Sequence, residues 1–472
     1  MSGLVGFLVF ISIVAGAYFY QQIPLPSASS ESKELKKNDE RVKIVDSEKV
    51  IPKSQELFNT TVADDSNRLT FTDEELRYLK SSPSSQTGEA LHLIGEITPP
   101  TLNGKSMQAS SIHLLRNTNN ESRRFLISYA LRGEEFLGAV QIISVIKKSH
   151  PNNKQHDKSA DHFVSILQTV VFKNFDINVA VEEKGVLYLG GGTGDAPFKT
   201  PAVLEVIQLT ADGLIPQKFD SLRLSLPSYT VTSIAVSAHD VYVAVGDKHG
   251  GVLVLSNLLQ VKPRVMNYEE LSHKFYPIDD VRDLAIDKKN LYAVKGTDAG
   301  LWVLPRDDKS SEGRLINLTG ATIAESKSTI ELTSKSILLA LGDGGAVLVD
   351  RQTLQPHTVF AQQTHSKDTG LSVTNSASGS ARRLFLADGE AGARVMKYSK
   401  KDKRFNQTAR ITFGDNKSVN DIKYFNGLVV MAVGTAGVKI AQLYRGPQEI
   451  IEEYRDYQEE KNDDSKDNKK SK

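Results

Sequence analysis

The chain has 472 residues, and its 58 lysines and arginines nearly balance its 57 aspartates and glutamates, for a net charge of +1. This balance gives no global field that would favour nucleic acid as a partner. There is no cysteine, which excludes disulfides, thiolate metal sites and cysteine nucleophiles. The length exceeds one ordinary domain but suits a repeat fold that forms a single unit.

The chain begins with an apolar segment. Residues 3–20 carry no charge, and about 20 such residues are needed for a helix to cross a bilayer. An Ala-Gly-Ala sequence at 15–17 resembles a signal-peptidase site, but the basic region that precedes a signal peptide's apolar core is missing. Residues 1–20 are therefore predicted to be a transmembrane anchor that holds the main domain outside the cytoplasm, in the cell envelope. The alternative is a signal segment whose cleavage leaves a secreted or periplasmic protein.

A polar segment follows. Residues 21–89 are rich in Ser, Lys and Glu, a composition typical of a flexible stalk. Thr72 and Glu75 have the spacing of a capping box, and Phe71 and Leu76 can form a hydrophobic staple. The sequence therefore predicts a short helix at about 73–80 within the stalk.

From residue 90 onward one pattern recurs, in which an apolar strand, a turn rich in Gly and Asp, and a second apolar strand follow one another. Successive copies start 44 to 61 residues apart, a spacing typical of propeller blades rather than helical solenoids. The copies begin at Phe125, Val186, Val241, Leu291, Ile337, Leu384 and Leu428.

Flanking apolar stretches raise each copy to four strands. Inner-strand candidates include residues 231–236, 281–286 and 419–424, and outer-strand candidates include 163–171 and 314–318. The last copy lacks an outer strand, whereas an unpaired strand at 91–97 precedes the first copy. The sequence thus predicts an all-β, seven-bladed β-propeller at 90–446, closed by this N-terminal strand, which leaves no exposed sheet edges at the junction. Residues 447–472 are predicted to be a charged C-terminal tail.

The repeats resemble a known family. The sequence LFLADGEAGARVMKYS at 384–399, with Ala387-Asp388-Gly389 and Gly392, is similar to the LVIVD-repeat β-propellers of bacterial envelope proteins. Residues 129–145 are similar to the first repeat of such proteins. The turns at 341–343 and 433–435 lack the full Ala-Asp-Gly. The resemblance implies a propeller at the cell envelope and supplies no catalytic residues.

The glycine turns carry recurring carboxylates that are candidates for a binding loop on one face. Aspartate and backbone carbonyl oxygens would suit Ca²⁺, whereas Asp and Gly also supply the backbone angles of tight hairpins. Turn chemistry is favoured, because different blades hold these residues apart, and no cofactor is predicted. The candidates are Asp195, Asp247, Asp298, Asp343 and Asp388.

The glycine run at 190–194 resembles a phosphate loop only superficially. It lacks the Lys-Ser/Thr pair of a P-loop, and it joins strand to strand rather than strand to helix. The insertion that follows it, through Pro197 to Pro201, is more interesting as a binding loop, since such loops often carry function.

Two functions remain open. The first is a non-catalytic, envelope-associated scaffold that binds a protein, or a glycan, at a propeller face. The second is a metal-dependent propeller hydrolase or lactonase with its site at the central channel, where Asp283 and Asp421 are the carboxylates that can be placed on inner strands. No motif of a hydrolase or zinc site is present, so a non-enzyme is favoured, with the membrane contacted through the N-terminal segment.

Overall fold

The computed structural model describes residues 42–45, 50–52, 61–63, 68–70 and 89–445, with gaps at 103, 116–121, 132–135, 148–161, 196–197, 247–249, 297–298, 307–311, 319–326, 361–372, 381 and 415–416. The N-terminal apolar segment, the helix predicted at 73–80 and the C-terminal tail lie outside these residues. In the described part of the chain, no helix is long and apolar enough to cross a membrane.

The first strands precede the repeats. They are β1 (Val42–Val45), β2 (Val50–Pro52), β3 (Thr61–Ala63), β4 (Arg68–Thr70) and β5 (Glu89–Ile97), followed by the small hairpin of β6 (Thr101–Leu102) and β7 (Lys105–Ser106).

Within the described residues, the repeats then form antiparallel four-stranded units, which we number along the chain from unit 1. In each unit the strands run from the inner strand to the outer strand. Unit 1 contains β8 (Gln108–Leu114), β9 (Ser122–Ala130), β10 (Leu137–Lys147) and β11 (His162–Lys173), and unit 2 contains β12 (Phe175–Glu183), β13 (Val186–Thr193), β14 (Ala202–Gln208) and β15 (Ser221–Ser225). A parallel contact between β10 and β12 joins these two units into one sheet.

Unit 3 is interrupted by an excursion. It contains β16 (Thr230–Val236), β17 (Asp240–Gly246), β18 (Gly251–Ser256) and, after β19 (Val265–Asn267), the outer strand β20 (His273–Tyr276). The connection includes the 3₁₀ helices Leu258–Gln260 and Tyr268–Glu270. Strand β19 pairs in parallel with β15, so it covers the outer edge of unit 2.

The remaining units are regular. Unit 4 contains β21 (Val281–Ile286), β22 (Asn290–Lys295), β23 (Gly300–Pro305) and β24 (Arg314–Asn317), and unit 5 contains β25 (Ile330–Leu332), β26 (Ser336–Ala340), β27 (Ala346–Asp350) and β28 (Pro356–Phe360). Unit 6 contains β29 (Ser376–Gly379), β30 (Arg383–Ala387), β31 (Ala393–Ser399) and β32 (Arg404–Ile411), and unit 7 contains β33 (Asp421–Phe425), β34 (Leu428–Ala432), β35 (Val438–Arg445) and β5. This architecture is a β-propeller.

The core lies in layers between neighbouring units, because the second and third strands are apolar on both faces. Leu91 of unit 7 packs with Phe385 of unit 6, and Val430 of unit 7 packs with Ile127 of unit 1. Such a stack of thin layers explains how a repeat of short strands buries a continuous apolar interior.

The N-terminal strand completes the last unit, as the sequence predicts for residues 91–97. Strand β5 pairs antiparallel with β35, with Ile97 opposite Val438 and Glu89 opposite Arg445. Predicted inner strands also match: the strand expected at 281–286 has those bounds, and the one expected at 231–236 begins one residue earlier.

The segment predicted as a stalk contains strands that the sequence analysis did not anticipate. Strand β1 pairs with the outer strand of unit 1, and β2 pairs with the outer strand of unit 7. Both are short stretches with β-branched residues, and both add to an outer sheet edge, which satisfies backbone groups at that edge. Residues 42–45 and 50–52 of the segment predicted as a flexible stalk therefore pair with the outer strands of two units.

Candidate functional site

The recurring glycine turns share one hydrogen-bonding scheme in units 5, 6 and 7. In the turns at 341–345, 388–392 and 433–437, the first amide donates to the carbonyl of the fifth residue at 2.7–2.8 Å. The second residue of each turn is a glycine with a positive φ, between 47° and 59°, a conformation that favours glycine.

This glycine also binds the next unit. Gly342 exchanges backbone hydrogen bonds with Thr374, Gly389 accepts one from Val419, and Gly434 accepts one from Ala109. The last of these contacts joins unit 7 to unit 1. The glycine turns are thus latches between neighbouring units, and the need for a left-handed residue at the latch explains why glycine recurs there.

The turn aspartates that the structure describes occupy different positions in their turns. Asp388 is the first residue of its turn and is fully buried, whereas Asp343 is the third residue of its turn and is exposed. Asp388 accepts hydrogen bonds from Thr374 and from the guanidinium of Arg394, so it is a buried structural ion pair. Asp247 and Asp298 lie outside the described residues.

Asp195 lies on the loop that follows the glycine run, and it contacts a buried cation. The Arg223 guanidinium lies 2.9 Å from the Asp195 carboxylate and donates to the Thr193 hydroxyl at 2.9 Å. The rings of Phe175 and Phe198 lie 5.3 Å and 4.9 Å from the guanidinium carbon. Desolvated cation–π contacts of this kind stabilise the cation, so Arg223 holds Asp195 and Phe198 of the loop against unit 2.

The glycine run itself serves packing. A Cβ at Gly191 would lie 1.7 Å from the Asp176 carbonyl oxygen, and one at Gly194 would lie 3.0 Å from the Phe136 ring. Residues 190–194 therefore accommodate close backbone approach and the aromatic ring from unit 1.

Asp176 lies at the same junction between units 1 and 2. Its carboxylate accepts a hydrogen bond from the Leu137 amide at 2.8 Å. Burial raises the pKa of Asp176 to about 7, and the Leu137 hydrogen bond only partly opposes this rise.

The two inner-strand carboxylates proposed for a metal accept hydrogen bonds from different partners. Asp283 of unit 4 accepts hydrogen bonds from Ser233 of unit 3 at 2.5 Å and from the Ile330 amide of unit 5 at 2.9 Å. Burial raises the pKa of Asp283, whereas the bonds to Ser233 and Ile330 oppose the rise. Each carboxylate oxygen thus ties unit 4 to a neighbour.

Asp421 has the same role three units later. It accepts hydrogen bonds from Ser376 of unit 6 at 2.6 Å and from the Ile112 amide of unit 1 at 2.8 Å. Each inner-strand aspartate therefore connects three consecutive units. Asp283 joins units 3, 4 and 5, and Asp421 joins units 6, 7 and 1. Their carboxylates do not come together as ligands of one metal ion. Within the described residues, no group of three or more His, Asp or Glu side chains could hold a metal ion.

A lysine completes the polar lining of the inner strands. Lys423 lies 3.1 Å from Glu331 of unit 5, and Glu331 also accepts from the Ser378 hydroxyl at 3.0 Å. Burial would lower the pKa of Lys423, but Glu331, Asp421 and Asp283 together raise it above its ordinary value. The lining is therefore charged and internally paired around this lysine.

Beside the loop 194–201 lies an exposed aromatic residue. Tyr229 is 45% exposed, and its carbonyl oxygen would lie 3.3 Å from a Cβ at Gly192. The Thr193 amide donates to the Pro201 carbonyl at 2.8 Å, and Phe198 of the loop is buried. The backbone of this exposed tyrosine therefore adjoins the glycine run, and nothing in the sequence distinguishes Tyr229 among the 15 tyrosines of the chain.

Comparisons with known proteins bear on the fold. No protein-family model matches the chain, and no curated protein matches it. Two similar solved structures are "Structure of U3-55K", with 12% identity and a TM-score of 0.48 over 76% of this chain and 100% of that chain, and "Crystal structure of RRP9 WD40 repeats", with 14% identity and a TM-score of 0.46 over 72% of this chain and 100% of that chain. At these values the fold assignment rests on the strand pairing of the chain itself.

Proposed function

We propose that the chain is a non-catalytic scaffold, a closed ring of seven blades that binds a protein partner through one face. The observation that supports this most is the commitment of Asp283 and Asp421 to bonds between units. A metal-dependent hydrolase would need carboxylates that converge on one ion with room for substrate. The inner strands instead use these groups to hold the blades in register.

The surface we propose for the partner is the rim formed by Tyr229 and the loop 194–201. Tyrosine is enriched among residues that dominate binding energy, because it offers a large rigid surface with a polar end. The ion pair of Arg223 and Asp195 fixes the loop, so little conformational entropy is lost when a partner binds. A glycan could use the same aromatic residue.

The setting we propose is the cell envelope. Residues 1–20 would anchor the chain or direct its export, as the composition of that segment indicates. We also propose membership of the LVIVD-repeat propellers, on the resemblance of Ala387-Asp388-Gly389 and Gly392 to that repeat.

Site-specific photo-cross-linking tests the proposed surface. A photo-reactive phenylalanine analogue replaces Tyr229 in the full-length protein, and a matched variant carries it at Leu259, which is 60% exposed on the side of unit 3. We expect a discrete protein adduct from position 229 in native membranes and none from position 259. Adducts of equal yield at both positions, or none at position 229, would reject this surface.

A further inference from the structure

A basic surface lies at one end of units 4 and 5. The turn between β21 and β22 exposes Lys288 and Lys289, and the corresponding turn between β25 and β26 exposes Lys335. Each turn is joined to the residue that follows the third strand of its unit. The Arg306 amide donates to the Lys289 carbonyl at 2.7 Å, and the Arg351 amide donates to the Lys335 carbonyl at 2.9 Å. We call these five cations the unit 4–5 basic surface.

One ion pair links the two turns. Asp287 of unit 4 accepts hydrogen bonds from Nη2 and Nε of Arg351 in unit 5, at 2.6 and 3.1 Å. Nη1 of the same guanidinium donates to the Thr333 carbonyl of unit 5 at 2.8 Å. Arg351, whose side chain is 27% exposed, therefore bridges the two turns, and their lysines belong to one continuous surface.

The carboxylates at this end bind donors of the protein itself. Asp287 also accepts from two backbone amides of its own turn, at 2.6 and 2.7 Å, and from the Tyr292 hydroxyl at 2.9 Å. Burial would raise the pKa of Asp287, but the hydrogen bonds from Arg351, from these amides and from Tyr292 lower it. Asp350 accepts from two amides of the turn that follows it. Both acids thus serve to shape this end of the two units.

The exposed lysines leave this surface with a positive charge. In the part of the chain that the structure describes, Lys288, Lys289 and Lys335 form no ion pair. Five cations stand against the two carboxylates, and the loop 307–314 contributes one net negative charge in sequence, so the local charge is +2, compared with +1 for the whole chain. Clustered exposed cations of this kind attract and orient anionic partners.

The arrangement suits an extended acidic peptide more than a compact anion or a membrane. A phosphate site needs donors that converge on one point, whereas these lysines come from separate turns and the Arg351 guanidinium already binds Asp287. Among the described residues of these turns, no large apolar side chain is exposed, whereas surfaces that bind lipid combine cations with apolar groups. Carboxylates spaced along a peptide can each meet a different lysine.

We propose that the unit 4–5 basic surface binds an acidic, carboxylate-rich segment of a protein partner. The surface lies at the opposite end of the inner strands from Tyr229, because Tyr229 precedes inner strand β16, whereas the two basic turns follow inner strands β21 and β25. The propeller therefore has a second binding face, and a scaffold that uses both faces holds two proteins at once. Opposite charges attract over about 8–10 Å at moderate ionic strength, so added salt weakens this contact.

Fluorescence anisotropy of the full-length protein with a fluorescein-labelled peptide of alternating Glu and Gly tests this surface. We expect saturable binding at low salt. The triple variant K288Q, K289Q and K335Q should bind about tenfold more weakly, since each exposed ion pair contributes roughly two- to threefold to affinity. These side chains are exposed, so the variant should unfold at the native temperature. Absence of peptide binding by the native protein, or native affinity of the variant, would overturn the proposal.

A matched variant separates a local site from net charge. K173Q, K218Q and K262Q together remove the same number of charges from exposed lysines of units 1, 2 and 3, and they should leave the peptide affinity nearly unchanged. Equal losses in the two triple variants would overturn the proposal.

Two further probes distinguish the peptide from other anions. Inorganic phosphate at constant ionic strength should not displace the labelled peptide, and phosphatidylserine vesicles should not sediment the protein through these lysines. Displacement by phosphate would assign the surface to a compact anion. Vesicle binding that K288Q, K289Q and K335Q abolish, without peptide binding, would assign it to a membrane, and either result would contradict the proposal.

Discussion

The buried ion pair that fastens the N-terminal strand to unit 6 gives the most demanding test of ring closure. Glu89 of β5 and Arg383 of β30 have side chains that are only 0% and 4% exposed. The Arg383 Nε donates to Glu89 at 2.7 Å, and the Thr408 hydroxyl donates to the other carboxylate oxygen at 2.6 Å. Residues almost three hundred positions apart in sequence thus meet at the closing strand.

Substituting Glu89→Gln keeps the shape of the side chain but removes the negative charge that contacts the buried Arg383 guanidinium. Breaking a buried pair in this way costs about 3–5 kcal/mol, mostly because the remaining charge is desolvated. The double variant E89Q with Arg383→Met also removes the buried positive charge. It should recover most of the loss, since apolar replacement of both partners is close to neutral.

Urea unfolding followed by circular dichroism measures these differences. Glu96→Gln serves as the control, because its carboxylate is 23% exposed and pairs with Lys439 within the same unit, so its loss should be smaller. If E89Q unfolds at the native urea concentration, or if the double variant loses as much as the two single variants together, the closing role of the pair is refuted.

Two further predictions concern the latches and the junction of units 1 and 2. Gly392→Ala should destabilise the protein far more than Gly414→Ala. Both residues have φ near +90°, at a cost of about 1–2 kcal/mol for alanine, but only a Cβ at position 392 meets backbone, 2.0 Å from the Ile411 carbonyl oxygen. Equal melting temperatures of the two variants would argue against this clash. Because the folded-state pKa of Asp176 is raised to about 7, the folded state holds the proton more tightly, so stability falls as pH rises from about 4 to 7. Asp176→Asn can still accept a hydrogen bond from the Leu137 amide. Its free energy of unfolding should rise relative to that of the native protein between about pH 4 and 7, and the difference should be constant above that range. A difference in unfolding free energy that does not change with pH would count against the raised pKa.

The repeat and the closing strand can be predicted from the sequence because both depend on local patterns. Period-two strands separated by glycine turns predict four-stranded units, and the unpaired strand at 91–97 finds its place because the last repeat lacks one. The same patterns do not predict the strands at 42–45 and 50–52. Each is short and flanked by charged residues, and its pairing partner lies more than forty residues away along the chain.

The candidate site was less accessible from sequence. An aspartate beside glycine in each repeat suggests that Asp343 and Asp388 are equivalent. They occupy different positions in two turns of the same type, and only the hydrogen-bonding scheme distinguishes them. Arg223 lies in an outer strand, where an exposed cation is the ordinary expectation, yet β19 and the loop 194–201 bury it. Such burial depends on connections between distant segments, which strand periodicity does not encode.

Partner capture by the full-length protein from its native membranes, compared between Tyr229→Ala and Asp421→Asn, tests the central claim most directly. If the propeller is a scaffold whose inner aspartates only hold blades together, the folded Asp421→Asn protein retains the partner that the native chain captures, while Tyr229→Ala loses it. Loss of the partner from folded Asp421→Asn, with retention by Tyr229→Ala, would contradict the account and move the functional site to the central channel.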